Sequence, residues 1–226
     1  MKILAFDTAT EACSVALGLD DHITERYVEL ERGHAERLLP MVDELLSEGG
    51  VALGALDAIA FGRGPGAFTG VRLAASVAQG LAFGAGLGVA PVSDLAAVAR
   101  RVIELQPGVT RILVVSDARM REVYWGHFRG DSRVTPAGDE HVSAGARVEM
   151  PADCDESWAA AGRGLVVAPD LAERCRAAGA VLHADLLPRA REILLLARPA
   201  VAAGDLLPPE RALPVYVRDR VAAASM

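Results

Sequence analysis

Cysteine is scarce in this chain. The three present, Cys13, Cys154 and Cys175, lie far apart and are odd in number. They build neither a disulfide framework nor a metal-ligand spacing, which fits a reducing compartment. Positive charge is also in deficit: Lys and Arg total 23 against 30 Asp and Glu, for a formal net charge of −7. A domain that grips nucleic acid unaided is usually basic. This balance argues against such binding and leaves open membership of an assembly that holds nucleic acid. Paired histidines are missing: His22, His34, His127, His141 and His183 show no ligand spacing. An unbroken membrane-length apolar run is missing too. Residues 73–93 carry no charge, but Gln79, Gly80, Gly84, Gly86, Gly88 and Pro91 divide them into helix, turn and strand. The apolar start at residues 3–6 is cut by Asp7 too early for a signal peptide. These absences lead us to expect a cytoplasmic protein with no membrane span.

What is present suffices for real cores: 226 residues, 52% of them apolar, make one large domain or two small ones. Residues 3–6, 14–19 and 24–30 read as three strands joined by short polar turns, an antiparallel meander. Residues 34–47 read as a helix, with Leu38, Leu39, Val42, Leu45 and Leu46 forming an apolar stripe and Gly49-Gly50 ending it. A strand at 58–61, a glycine-rich loop, a helix at 73–83 and a short strand at 89–90 follow. A further helix runs from about 93 to 105, with Ser93 or Asp94 as its N-cap. After the turn at 106–108, residues 111–116 and 122–128 read as a strand pair. Ser116-Asp117-Ala118-Arg119 repeats the strand–Asp–turn opening of Phe6-Asp7-Thr8-Ala9, which hints at a duplication. Residues 130–158 are polar and show no clear period. Residues 185–202 read as a helix and 213–218 as an extended tail.

The most specific segment is Gly62-Arg63-Gly64-Pro65-Gly66-Ala67-Phe68-Thr69-Gly70-Val71-Arg72. Four glycines between a strand and a helix exceed what a turn requires. They let another surface approach the backbone and place amides at a helix N-terminus, where anions or partners bind. Gly162-Arg163-Gly164 is a weaker counterpart in the second half.

Four blocks resemble the bacterial TsaB family, also called YeaZ, in order along the whole chain. They are Asp7-Thr8-Ala9-Thr10-Glu11-Ala12-Cys13-Ser14-Val15-Ala16-Leu17, the segment from Gly62 to Arg72, Asp117-Ala118-Arg119-Met120-Arg121-Glu122-Val123-Tyr124, and Pro214-Val215-Tyr216-Val217-Arg218. The resemblance implies an α/β fold of the actin/Hsp70/sugar-kinase class, with two duplicated ribonuclease-H-like subdomains. We place these at 1–106 and 107–204, with residues 205–226 packing back on the first. It implies a non-catalytic subunit needed to form N6-threonylcarbamoyladenosine at position 37 of ANN-decoding tRNAs. The partners implied are the larger homologue TsaD, which transfers the group, and the small ATPase TsaE. tRNA would be met only through the complex.

The same resemblance sets the candidate sites. Asp7, Thr8 and Thr10 stand where this fold grips phosphate and metal, and Gly64, Gly66 and Thr69 would add loop contacts. A residual nucleotide site and simple Asx or ST turns are both open. The sister TsaD family holds its metal with two histidines four residues apart. Asp94 and Val98 stand there in this chain, so no catalytic residue and no metal site are expected, and ATP, ADP or Mg would bind only with partners present. Helices 34–47 and 69–83 are implied to dock TsaD, or a second copy when the chain is alone. The candidate interface is Leu38, Met41, Val42 and Leu45 with Val71, Leu73, Ala74, Ala75, Val77, Ala78 and Leu81. The alternative is a stand-alone ATPase or phosphotransferase of the same fold, working through Asp7, Thr8 and the glycine loop.

Overall fold

The structure, a computed structural model, describes residues 1–130, 133–151 and 157–217. Cys154, Arg218 and residues 219–226 lie outside the described residues. The chain divides into two compact units. The first holds Met1–Asp94 and Pro188–Val215, and the second holds the described residues of Leu95–Leu187 with Tyr216 and Val217.

In the first unit, β1 (Lys2–Asp7), β2 (Ala12–Leu19) and β3 (His22–Glu29) form the expected meander, and β4 (Ala58–Gly62) and β5 (Gly88–Val92) add in parallel. The sheet order is β3-β2-β1-β4-β5. The central strands are apolar on both faces, as strands covered on both sides must be, but the two faces differ in size. Leu4, Phe6, Val15, Leu17, Ile59 and Phe61 make one core with the helices α1 (His34–Glu48) and α2 (Phe68–Ala85). The opposite face carries Ala5, Ala16, Gly18, Ala58 and Ala60, and α6 (Ala190–Ala203) packs on these strands. A Cβ at Gly18 would stand 3.0 Å from Leu194 Cδ1, so small residues set how close this helix lies. The start of α6 is fastened to the sheet. Ser14 Oγ accepts a hydrogen bond from Ala190 N at 2.9 Å, and Glu25 Oε1 accepts one from Arg191 N at 3.0 Å. These bonds satisfy two of the N–H groups every helix start leaves open.

In the second unit, β6 (Arg111–Asp117) pairs antiparallel with β7 (Glu122–Gly130), which pairs with β8 (Val134–Pro136) and β9 (His141–Ala144). β10 (Trp158–Ala161) and β11 (Val181–His183) add in parallel beyond β6. The order β11-β10-β6-β7-β8 repeats the pairing scheme of the first sheet. Each opening strand also ends alike: Asp7 Oδ1 accepts from Ala9 N, and Asp117 Oδ1 from Arg119 N, the same Asx turn twice. This duplicated pattern is the ribonuclease-H-like pair of the actin/Hsp70/sugar-kinase fold. Around Trp158, α4 (Gly164–Val167) and α5 (Pro169–Ala177) complete a separate core. The Arg174 guanidinium donates to the carbonyls of Gly145, Ala146 and Val148, which organises part of the polar stretch.

The expected subdomain boundaries need correction. A division at 106/107 and at 204 assigns α3 (Asp94–Leu105) to the first unit and α6 to the second. The structure does the reverse: α3 beyond Asp94 clusters with the second unit and α6 with the first. The small-residue face of the first sheet is what α6 covers. The chain after α6 stays with the first unit as far as Val215, through the Val89–Leu207 bridge and the bond from Val215 N to Arg63 O.

Candidate functional site

The strand β4 delivers the chain into the glycine loop directly beside the β1–β2 turn. Each glycine of the loop answers a close neighbour. A Cβ at Gly70 would lie 2.0 Å from Thr8 O, and one at Gly66 would lie 2.4 Å from Ala9 O. At Gly62 it would meet Asp94 Oδ1 at 2.3 Å and Asp7 Oδ1 at 2.4 Å. Gly64 has φ +99°, a conformation that glycine adopts without a Cβ clash, and faces Val215 O. Hydrogen bonds close the arrangement: Thr8 Oγ1 donates to Gly70 O at 2.7 Å and Ala67 N to Ala9 O at 2.7 Å. The turn itself is tied to α1, since His34 Nε2 meets Thr10 O at 2.9 Å.

The structure therefore brings Asp7, Thr8, Thr10, Gly64 and Gly66 together. It does so with the protein's own atoms filling the contacts. Asp7 makes its Asx turn, Thr10 Oγ1 accepts from Ala12 N at 3.2 Å, and Thr8 is spent on Gly70. For these three residues the local-turn reading accounts for the geometry. Thr69, in the first turn of α2, is exposed. The amides expected to cradle an anion are partly consumed as well: Arg63 N donates to Val92 O and Gly64 N to Asp94 Oδ2. In the second unit the Gly162 and Gly164 backbones likewise press against Val115 and Ser116.

Asp94 is the residue whose role sequence reasoning missed. It stands at the N-terminus of α3 and is buried beside Asp7. Burial pushes both carboxyls above the usual carboxylate range, Asp94 well above it because the Asp7 charge adds to the desolvation. Among the described residues no group of three His, Cys, Asp or Glu is placed to hold a metal ion. The signal that could have found the pair was a strand-ending Asp and a helix-starting Asp with a glycine beside both. Recognising it requires the register of β4 against β1.

The candidate partner surface also needs correction. Leu38, Met41, Val42 and Leu45 of α1 and Val71, Ala74, Ala75 and Ala78 of α2 are all buried in the unit's own core. Leu73, Val77 and Leu81 are only part-buried. The apolar stripes cover the large-residue face of the sheet, and a stripe states that it is buried without stating by what. The open side of α2 carries Arg72, Ser76, Gly80, Phe83 and Gly84, with nothing within 4 Å of a Cβ built at Gly80 or Gly84. Phe83 is 82% exposed and Phe68 is 59% exposed, with Arg72 stacked 3.6 Å over the Phe68 ring. Beside this face a shallow cavity of about 450 Å³ is lined by Ser76, Gln79, Gly80, Phe83, Pro209 and Glu210.

Comparison with known proteins matches these features to a family. The model for TsaD, tRNA N6-adenosine threonylcarbamoyltransferase, matches residues 28–177, more than half of the chain. The tRNA threonylcarbamoyladenosine biosynthesis protein TsaB of Escherichia coli is 40% identical over 90% of this chain and 89% of its own length. The chain belongs to the TsaB family. The TsaB of Haemophilus influenzae is 52% identical over 55% of this chain and 52% of its own. The solved structure of YeaZ from Pseudomonas aeruginosa superposes with a TM-score of 0.86 at 46% identity, covering 95% of this chain and 99% of that one. Among the described residues no helix is long and apolar enough to cross a membrane.

Proposed function

We propose that this chain serves in the formation of N6-threonylcarbamoyladenosine in tRNA as a non-catalytic subunit, docking a TsaD-type transferase through the open face of α2. Membership of the TsaB family supports the pathway. The observation that carries the docking reading is that face itself. From Leu73 to Ala85 the helix has no charged residue, and Ser76, Gly80 and Gly84 leave its backbone accessible on the side that also exposes Phe83. Small residues at four-residue spacing allow a partner helix to come close, and exposed aromatics supply contact area. The helix is about 27 Å long, enough to carry much of a standard interface.

TsaE joins the pair, and a second copy of the chain covers the same face when the transferase is absent. ATP or ADP with Mg binds only in the presence of these partners, and tRNA is held by the complex rather than by this acidic chain. The work is done in the cytoplasm. The stand-alone ATPase reading is less well supported, because Asp7, Thr8 and the glycine loop are engaged with one another.

Mixing the purified chain with a TsaD-type transferase and measuring mass by sedimentation tests the reading. A one-to-one complex that replaces any homodimer is expected, with no ATP turnover by the chain alone. Separate sedimentation of the two proteins would overturn the docking reading, and steady ATP turnover by the chain would favour the ATPase.

A further inference from the structure

Asp7 and Asp94 are buried ionisable groups apart from the docking face of α2. Each spends one oxygen on a backbone N–H: Asp7 Oδ1 accepts from Ala9 N at 2.9 Å, and Asp94 Oδ2 accepts from Gly64 N. The remaining oxygens, Asp7 Oδ2 and Asp94 Oδ1, are buried with no hydrogen-bond partner. The bare Cα of Gly62 forms the floor. A Cβ there would strike both carboxyls, at 2.3 and 2.4 Å, so the two groups converge over the one residue type that leaves them room.

Two carboxylates this close and this buried do not both ionise. Something positive must lie between them. A divalent metal wants six or more oxygen ligands. Among the described residues no third His, Cys, Asp or Glu stands with the pair to hold a metal ion. A proton shared between the two carboxyls gives each a hydrogen-bond partner in the other. We infer that Asp7 and Asp94 share a single proton, forming an acid–carboxylate hydrogen bond that clasps the end of β1 to the start of α3 over Gly62, and that loss of this proton as pH rises releases the clasp.

The charged and titratable neighbours are His34 at the start of α1, Arg63 in the loop and Cys13 on β2. His34 and Arg63 favour the ionised pair, and burial outweighs them. The thiol of Cys13 is itself pushed up to about 11 by burial and by the Asp7 charge. The folded chain thus holds a proton that the unfolded chain gives up above about pH 4, the ordinary carboxylate range. Stability is full below that value and falls as pH rises through the raised folded range. Across that window the unfolding constant climbs by up to about tenfold per pH unit.

The test uses the full chain with Glu25→Gln as background, because the Glu25 carboxyl is also raised by burial. Asp94→Asn keeps an acceptor for Gly64 N and turns an amide N–H toward Asp7, mimicking a proton that cannot leave. Urea unfolding from pH 5 to 9 is expected to show a falling stability in the background chain that Asp94→Asn lacks. Infrared spectra at pH 7 are expected to show a protonated carboxyl in the background chain that disappears in Asp94→Asn. Equal pH dependence of the two chains, or no protonated carboxyl at pH 7, would overturn the inference. So would Mn²⁺ binding that Asp94→Asn abolishes. If Asp94→Asn does not fold, the background spectrum decides alone: a carboxyl band lost on raising the pH supports the clasp, and its absence at pH 7 refutes it.

Discussion

Gly70→Ala is expected to destabilise the first unit by about 3 kcal/mol or more, the upper end of the usual overpacking penalty. The added carbon would sit 2.0 Å from Thr8 O and 3.0 Å from Thr8 C, both backbone atoms of the β1–β2 turn. A flexible side chain could swing away; a turn pinned by Thr8 Oγ1 to Gly70 O, Ala67 N to Ala9 O and His34 to Thr10 O has little freedom to move. With total stabilities of about 5–15 kcal/mol for ordinary domains, that loss is a large share. Gly80→Ala is the matched control. It lies in the same helix with nothing within 4 Å of the new carbon, so it should gain up to about 1 kcal/mol from helix propensity alone. Urea midpoints of the two variants measure the contrast. A Gly70→Ala chain within 0.5 kcal/mol of wild type (a figure set by ordinary surface substitutions) would mean that the glycine loop is free rather than packed against the turn.

The second large effect concerns docking. Gly80→Arg should leave the chain folded, since its new side chain enters open solvent, yet weaken binding to the TsaD-type transferase by at least about 100-fold, roughly 2.7 kcal/mol. A long charged side chain amid the small residues Ser76, Gly80 and Gly84 blocks close helix approach and must be desolvated on binding. Ala78→Glu, at a residue of the interface expected from the sequence, is a poor test. Ala78 is buried in the unit's own core, so a charge there unfolds the chain and any loss of binding follows trivially. Titration of labelled transferase with each folded variant gives the comparison. Wild-type affinity in Gly80→Arg would move the interface off this face of α2.

Those two predictions fall on either side of what the sequence could say. The meander β1–β3, the parallel β4 and the helices α1 and α2 were readable because their apolar periods are long and end at glycine or Asp signals. The second half was harder. β10 is four residues, Trp158-Ala159-Ala160-Ala161, whose alanines carry no strand preference, and β11 has only three residues. Both are strands because parallel neighbours hold them, a long-range cause with no local trace. The packing of α6 on the first sheet has the same character. It depends on Ala5, Ala16, Gly18, Ala58 and Ala60 being small on one face, which shows only once the strands are aligned. The glycine loop was legible as a close-approach device, but its occupant was not: the neighbour turned out to be the Thr8–Thr10 turn and a buried Asp pair. From Leu73 to Ala85, α2 carries apolar or small residues on nearly every side, so pattern alone could not separate the core side, Ala74, Ala75 and Ala78, from the open side at Ser76, Gly80 and Gly84.

The central claim is that this chain is a required partner in tRNA threonylcarbamoylation. The most direct measurement is a reconstitution from purified proteins: a threonylcarbamoyl-AMP synthase, a TsaD-type transferase, TsaE, ATP, threonine, bicarbonate and tRNA, scoring N6-threonylcarbamoyladenosine with and without this chain. The account predicts modified adenosine only when the chain is added and its loss when Gly80→Arg replaces the wild type. Equal modification in the absence of the chain would contradict it.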